Sequence, residues 1–275
     1  MSSFKNRFSN LGHPNRIWTI SAIHGQLERL YSIHDTLFDK CRPGDRIVYT
    51  GNYLAGAFAN PTATLNEILA FRRRLLAQPG MVPDDFVYLR GRQEELWSKI
   101  LQLQFAPSAR DVLAWMGQHH PEMEDILQSY GSSFDQALQT AREGVISLTK
   151  WTGFLKEQIR RHPGHDTFFT ALRRAAFTEH RSTNDNNILF VHAGLNPTLP
   201  LMEQGDHFWW SSRGFNHMSA AYSPFRTVIR GHDPDRAGVY IGPVSISLDG
   251  GCGHGGKLVC AQMSNRGDVL ELLSA

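Results

Sequence analysis

The chain reads as an α/β protein built on layered sheets, and three observations predict it. Short runs rich in Val, Ile, Leu and Phe end repeatedly in Gly-containing polar turns, as buried strands feeding functional loops do. In the first hundred residues these runs alternate with helical spacing in the order β-α-β-α-β-α, which packs helices onto a sheet. Closely spaced strands return from residue 187 onward. At 275 residues with 41% hydrophobic content the chain is long enough to bury a full core, and one domain over 1–275 is expected.

The elements follow in order. Residues 17–23 (IWTISAI) form a first strand that leads through His24-Gly25 into an amphipathic helix from Leu27 to about Lys40. Residues 46–51 (RIVYTG) form a second, and a helix over 61–78 follows, started by Pro61 where a missing N–H costs nothing. Residues 86–91 (FVYLRG) are the third strand, and Glu94 opens another helical run. From about 96 to 180 the strand signal fades into a helical insertion, broken by His-Pro and Pro-Gly pairs at 120 and 163. Strands over 187–191, 227–230, 244–248, 257–263 and 268–273 are expected to form a second, largely antiparallel sheet facing the first.

Composition narrows the function. Twenty-eight Lys and Arg against 26 Asp and Glu leave a net charge of +2, which gives no electrostatic case for nucleic acid or an anionic membrane. No run approaches the ~18 to 20 apolar residues that cross a bilayer. Three cysteines without a CxxC pair suit a reducing cytoplasm. The basic runs 72–74 and 160–161 read as solvated helix faces, and the glycine-rich turn 250–256 lacks the Lys-Ser/Thr ending of a P-loop.

Ligands of open α/β sheets bind beyond the carboxyl ends of strands. Five such ends read Ser21-Ala22-Ile23-His24-Gly25, Gly51-Asn52-Tyr53-Leu54-Ala55-Gly56-Ala57, Arg90-Gly91-Arg92-Gln93-Glu94, Val191-His192-Ala193-Gly194 and Arg230-Gly231-His232. In order and spacing this set resembles the loops GDxHG, GDxVDRG, GNHE, VHAG and GH of calcineurin-like metallophosphatases of the phosphoprotein (serine/threonine) phosphatase type. The likeness spans roughly residues 16–273. It is nearest the bacterial branch, where a Trp-containing segment lies between the last two motifs as Phe208-Trp209-Trp210 does here. The resemblance implies a four-layer α/β/β/α sandwich with a helical insertion. It also implies a two-metal centre in which a bridging carboxylate holds ions about 3.5 to 4 Å apart.

Residue by residue, the implied site is degenerate. The family's first Asp falls on Ala22 and its bridging Asp on Asn52, while the Asn ligand of the third loop falls on Arg92. Only His24, His192 and His232 remain as ligands. A charge of +1 about 4 Å from a divalent ion costs on the order of 8 kcal/mol at an effective dielectric near 20, before screening. The histidine that resembles the general acid is Gln93, its orienting Asp is Ala55, and the phosphate-clamping Arg is Gly56. A second family Arg aligns with Ser212, with Arg213 one position away.

These departures lead us to expect a pseudophosphatase with no catalytic residue intact and no metal cofactor. Such a protein binds a protein partner or a phosphorylated ligand, with Arg92, His24, His192, His232 and Arg213 as an anion-binding set. The alternatives are a single-metal phosphoesterase carrying one Zn or Mn ion on His192, His232 and Asn52 or on the three histidines, and a scaffold acting through its helical insertion. The histidines also read as plain polar-cleft imidazoles, Arg92 as a solvated strand-end charge or as a partner of Glu94, Glu95 or Asp249, Glu94 as structural, and His254 as chance placement.

Overall fold

Alternation along short strands decides the layering. In β2 (Arg16–Ile20) Ile17 and Trp18 point to opposite faces, and both are fully buried, so this strand needs cover on both sides. The computed structural model of the chain describes residues 7–56, 58–179, 187–210, 213–235 and 238–275.

Strand β1 (Phe8–Asn10) precedes β2, and then α1 (Leu27–Lys40), β3 (Arg46–Tyr49), α2 (Pro61–Leu76), β4 (Phe86–Tyr88) and α3 (Arg92–Ile100) follow the sequence expectation closely. Helix α2 starts where Asn60 accepts the Ala63 N–H and Pro61 takes the first helical position. A run of helices comes next: α4 (Ala109–Gln118), α5 (His120–Gln128), α6 (Phe134–Glu143), α7 (Val145–Arg161) and α8 (His165–Ala171). The chain continues through β5 (Ala175–Phe177), β6 (Ile188–Val191), two short helices α9 (His207–Trp210) and α10 (Arg213–Asn216), β7 (Thr227–Arg230), β8 (Tyr240–Ile241), β9 (Ser245–Ser247), β10 (Val259–Ser264) and β11 (Val269–Ser274).

Two sheets result, ordered β11-β10-β2-β3-β4 and β1-β5-β6-β7-β9-β8. Ile17, Val48, Val87, Ala261 and Met263 of the first meet Ala176, Ile188, Phe190, Ile229 and Ile246 of the second in one apolar layer. The opposite face of the first sheet, with Trp18, Ile20, Ile47 and Tyr49, packs under α1, α2 and the helical insertion. The opposite face of the second, with Leu189, Val191 and Val228, is covered by Phe208, Trp209, Phe215 and Tyr222. Helices, two sheets and a thinner outer layer make the expected α/β/β/α sandwich.

Three expectations are corrected. The second sheet is mixed: β1–β5, β6–β7 and β7–β9 run parallel, and only β5–β6 and β8–β9 are antiparallel. The strands near 257–263 and 268–273 join the first sheet instead, with β10 antiparallel to β2. Cys260 and Ala261 face different cores, so β10, like β2, is stable only with both faces covered. The insertion stops short of 180: its helices end at Ala171, and Ala175–Phe177 is a strand whose three buried apolar residues are too few to show a period. Among the described residues, no helix is long and apolar enough to cross a membrane.

Candidate functional site

The loops after β2, β3, β4, β6 and β7 meet at one end of the sandwich. The Ala22 N–H donates to Gly231 O (2.9 Å), His24 N–H to Asn52 O (2.5 Å), and the N–H groups of Gly231 and His232 both donate to His192 O (3.1 and 2.9 Å). Such close approach requires glycine, since a Cβ on Gly231 would stand 1.7 Å from Thr50 Oγ1. His24 and Asn52 both adopt left-handed backbone, with φ 54° and 56°. That conformation costs a β-carbon residue about 1–2 kcal/mol, and here the surrounding loops hold it.

The structure brings His24, His192 and His232 together. Ring centroids of His192 and His232 are 5.0 Å apart and nearly parallel, and His24 lies 5.5 Å from His232. His254 of the glycine-rich turn stands 6.3 Å from His24, so it borders the site. Each of the three rings commits Nδ1 outward: His192 to Thr50 O (2.7 Å), His232 to Asp249 Oδ2 (3.1 Å) and His24 to Ala55 O (3.1 Å). With Nδ1 protonated in these pairs, each Nε2 is a lone pair. That of His24 faces Asn52 Nδ2 at 3.5 Å, whereas that of His192 is buried with no hydrogen-bond partner. Burial, then the neighbouring His232, lowers His24 to about 3 and holds His192 well below the usual imidazole value. Burial would raise Asp249, but His232 and the N–H groups of Asp233 and Gly251 bring it down to about 2.

Amides with their hydrogen bonds filled stand at two of the positions where the resemblance implies acids. Gln93 Oε1 accepts the N–H of both Leu54 and Ala55 (2.8 Å each), and its Nε2 donates to Ala55 O (2.6 Å) and lies 3.2 Å from His24 Nδ1. Asn52 Oδ1 accepts the Gln93 N–H (3.1 Å). Glu94 takes the N–H groups of Asn52 and Gly91 on Oε2 and that of Tyr53 on Oε1, so it ties two loops together, the structural role expected of it. Burial pushes it up to about 7 against those three donors. Ala22 and Ala55 are buried methyls with nothing to offer a cation.

Arg92 turns outward instead of inward. Its Nε lies 3.1 Å from Glu122 Oε2 on α5, at an angle that makes this a charge contact without an aligned hydrogen bond, and its guanidinium stands 5.7 Å over the Trp210 ring. The partners expected for it are taken elsewhere: Glu95 pairs with Arg90, and Asp249 holds His232. Phe208 and Trp209 are buried core, and Trp210 walls the cleft. Arg213 is exposed at the first residue of α10, and Ser212 lies outside the described residues. Sequence reasoning missed the backbone partner Thr50, the Asp249–His232 pair and, above all, Glu122, which lies thirty residues from Arg92 on a separate helix.

A pair of divalent ions does not fit these residues. The bridging position is an amide whose oxygen already accepts a backbone N–H, and among the described residues no group of three or more His, Cys, Asp or Glu is arranged to hold a metal ion.

No protein-family model and no curated protein matches the sequence. Solved structures do. The crystal structure of "a putative diadenosine tetraphosphatase" matches with a TM-score of 0.55 over 98% of this chain and 97% of that one, at 16% identity. A protein serine/threonine phosphatase from Saccharomyces cerevisiae with similarity to human phosphatase PP5 matches with a TM-score of 0.50 over 100% of this chain and 85% of that one, at 14% identity. Two facing sheets, five loops meeting at their carboxyl ends and these neighbours together give the chain the calcineurin-like metallophosphoesterase fold.

Proposed function

We propose that this is a non-catalytic protein of metallophosphatase fold that binds an anionic, phosphorylated partner in its cleft within a reducing cytoplasm. The observation that carries the reading is Gln93. It stands where the resemblance requires a proton donor, its amide has no proton to give at useful pH, and its oxygen is held by two backbone N–H groups. The free, buried thiols of Cys41, Cys252 and Cys260 are in keeping with a reducing compartment.

A second reading rests on the orphaned Nε2 of His192. A histidine whose other nitrogen is fixed by a backbone oxygen is oriented as metal ligands are, which favours a single-metal phosphoesterase. One experiment separates the two: metal content after purification, then turnover of an aryl phosphate with added manganese or zinc. The proposal expects substoichiometric metal and no turnover above blank. Activity abolished by His192→Ala would establish the second reading in its place.

A further inference from the structure

A second concave site lies away from the strand-end loops, where helices α3, α7 and α8 border a cavity of about 210 Å³. Its apolar walls are Trp97, Leu101, Ile159, Phe169 and Leu172. Such a volume lies below the roughly 300–1,000 Å³ of pockets that take drug-sized ligands, so it suits a single ring or a short chain. Trp97 is buried and stacks on Tyr130 with ring centroids 5.2 Å apart, which makes that wall rigid. Its indole N–H is buried with no hydrogen-bond partner, which destabilises the fold until an acceptor arrives.

The charged residues that line the cavity are unequally committed. Glu94 gives both oxygens to the N–H groups of Asn52, Tyr53 and Gly91, Asp166 accepts the Thr167 N–H, and Arg90 pairs with Glu95. Lys156 and Arg160 stand one turn apart on α7 and repel each other. Among the described residues neither has an ion-pair partner, whereas the adjacent Arg161 pairs with Glu157. Two uncompensated cations beside an apolar hollow match a ligand that carries an anionic group on an apolar body.

We propose that this cavity binds a small apolar monocarboxylate, its body among the apolar walls and its carboxylate at Lys156 and Arg160. Arg160 offers the planar fork that fits a carboxylate, and Lys156 adds a point charge. The site is separate from the strand-end cleft, since none of His24, Arg92, His192 and His232 lines it.

The test titrates the full chain with sodium benzoate at constant ionic strength and follows the indole N–H resonance of Trp97, identified by its loss in Trp97→Phe. Benzyl alcohol is the neutral control and acetate the control without a ring. Benzoate is expected to shift the resonance saturably, with neither control saturating in the same range. Lys156→Gln or Arg160→Gln should each weaken benzoate about three- to fivefold, and the two together at least tenfold. Arg92→Gln should leave it unchanged. Lys156 is half-buried and Arg160 exposed, so both substitutions are compatible with folding, which melting temperatures check. If Trp97→Phe does not fold, calorimetry with benzoate reads the same affinities. Benzyl alcohol binding as tightly as benzoate, or benzoate binding unchanged in the double variant, would overturn the carboxylate assignment. Loss of benzoate binding in Arg92→Gln would put the ligand in the strand-end cleft and overturn this site, as would no saturable binding of benzoate at all.

Discussion

At the scale of single residues, the amides of this cleft do structural work where charged groups are absent. Gln93 satisfies two buried N–H groups and one carbonyl of the 54–55 loop. Gln93→Leu would strand the two N–H groups, while Ala55 O keeps His24 Nδ1 as a donor, and since each unsatisfied buried group costs about 1–3 kcal/mol, a loss on the order of 2–3 kcal/mol in urea unfolding is expected. A loss below 0.5 kcal/mol would mean that water takes over these bonds. Gln93 was legible as a departure from a motif, because a missing acid shows in one letter. Its role as a clamp was not legible, because that depends on the 54–55 backbone turning its N–H groups toward the helix that carries residue 93.

Among elements, the strands that feed the site were readable because each is a buried run ending in glycine, and helix ends such as Asn60-Pro61 carry their own caps. Strands β1, β5 and β8 escaped, being two or three residues long and defined by their neighbours in the sheet. The glycine-rich turn reads as a plain loop in sequence, yet it packs on His24: a Cβ on Gly253 would lie 2.6 Å from the ring carbon Cγ. Gly253→Ala should therefore destabilise the protein by about 1–3 kcal/mol through overpacking. In combination with His24→Ala most of that penalty should vanish, a coupling that a double-mutant cycle in urea measures. Additive penalties would show that the turn moves aside freely.

For the whole molecule, the buried imidazoles set the response to acid. His24 and His192 titrate below the ordinary 6.5 when folded, so the unfolded chain binds their protons first, and stability present above pH 6.5 is lost as pH falls toward the folded values. Glu94, raised to about 7, acts in the opposite sense: its contribution is complete below 4.5 and disappears as pH rises through 7. Burial holds His34, His119 and His165 down in the same sense as His24 and His192, so more than one proton is taken up on unfolding and stability should fall by about 2 kcal/mol or more between pH 6.5 and 5. His24→Asn should flatten that slope in urea titrations at the two pH values, and an unchanged slope would exclude His24 as its source. The pairing of β10 with β2 reaches furthest: Ile20 is bonded in register to Cys260, 240 positions later. During synthesis one edge of β2 stays open until residues 259–264 have left the ribosome, and an uncovered apolar edge invites pairing with another chain. Nascent molecules halted before that point should therefore be the ones that recruit chaperones.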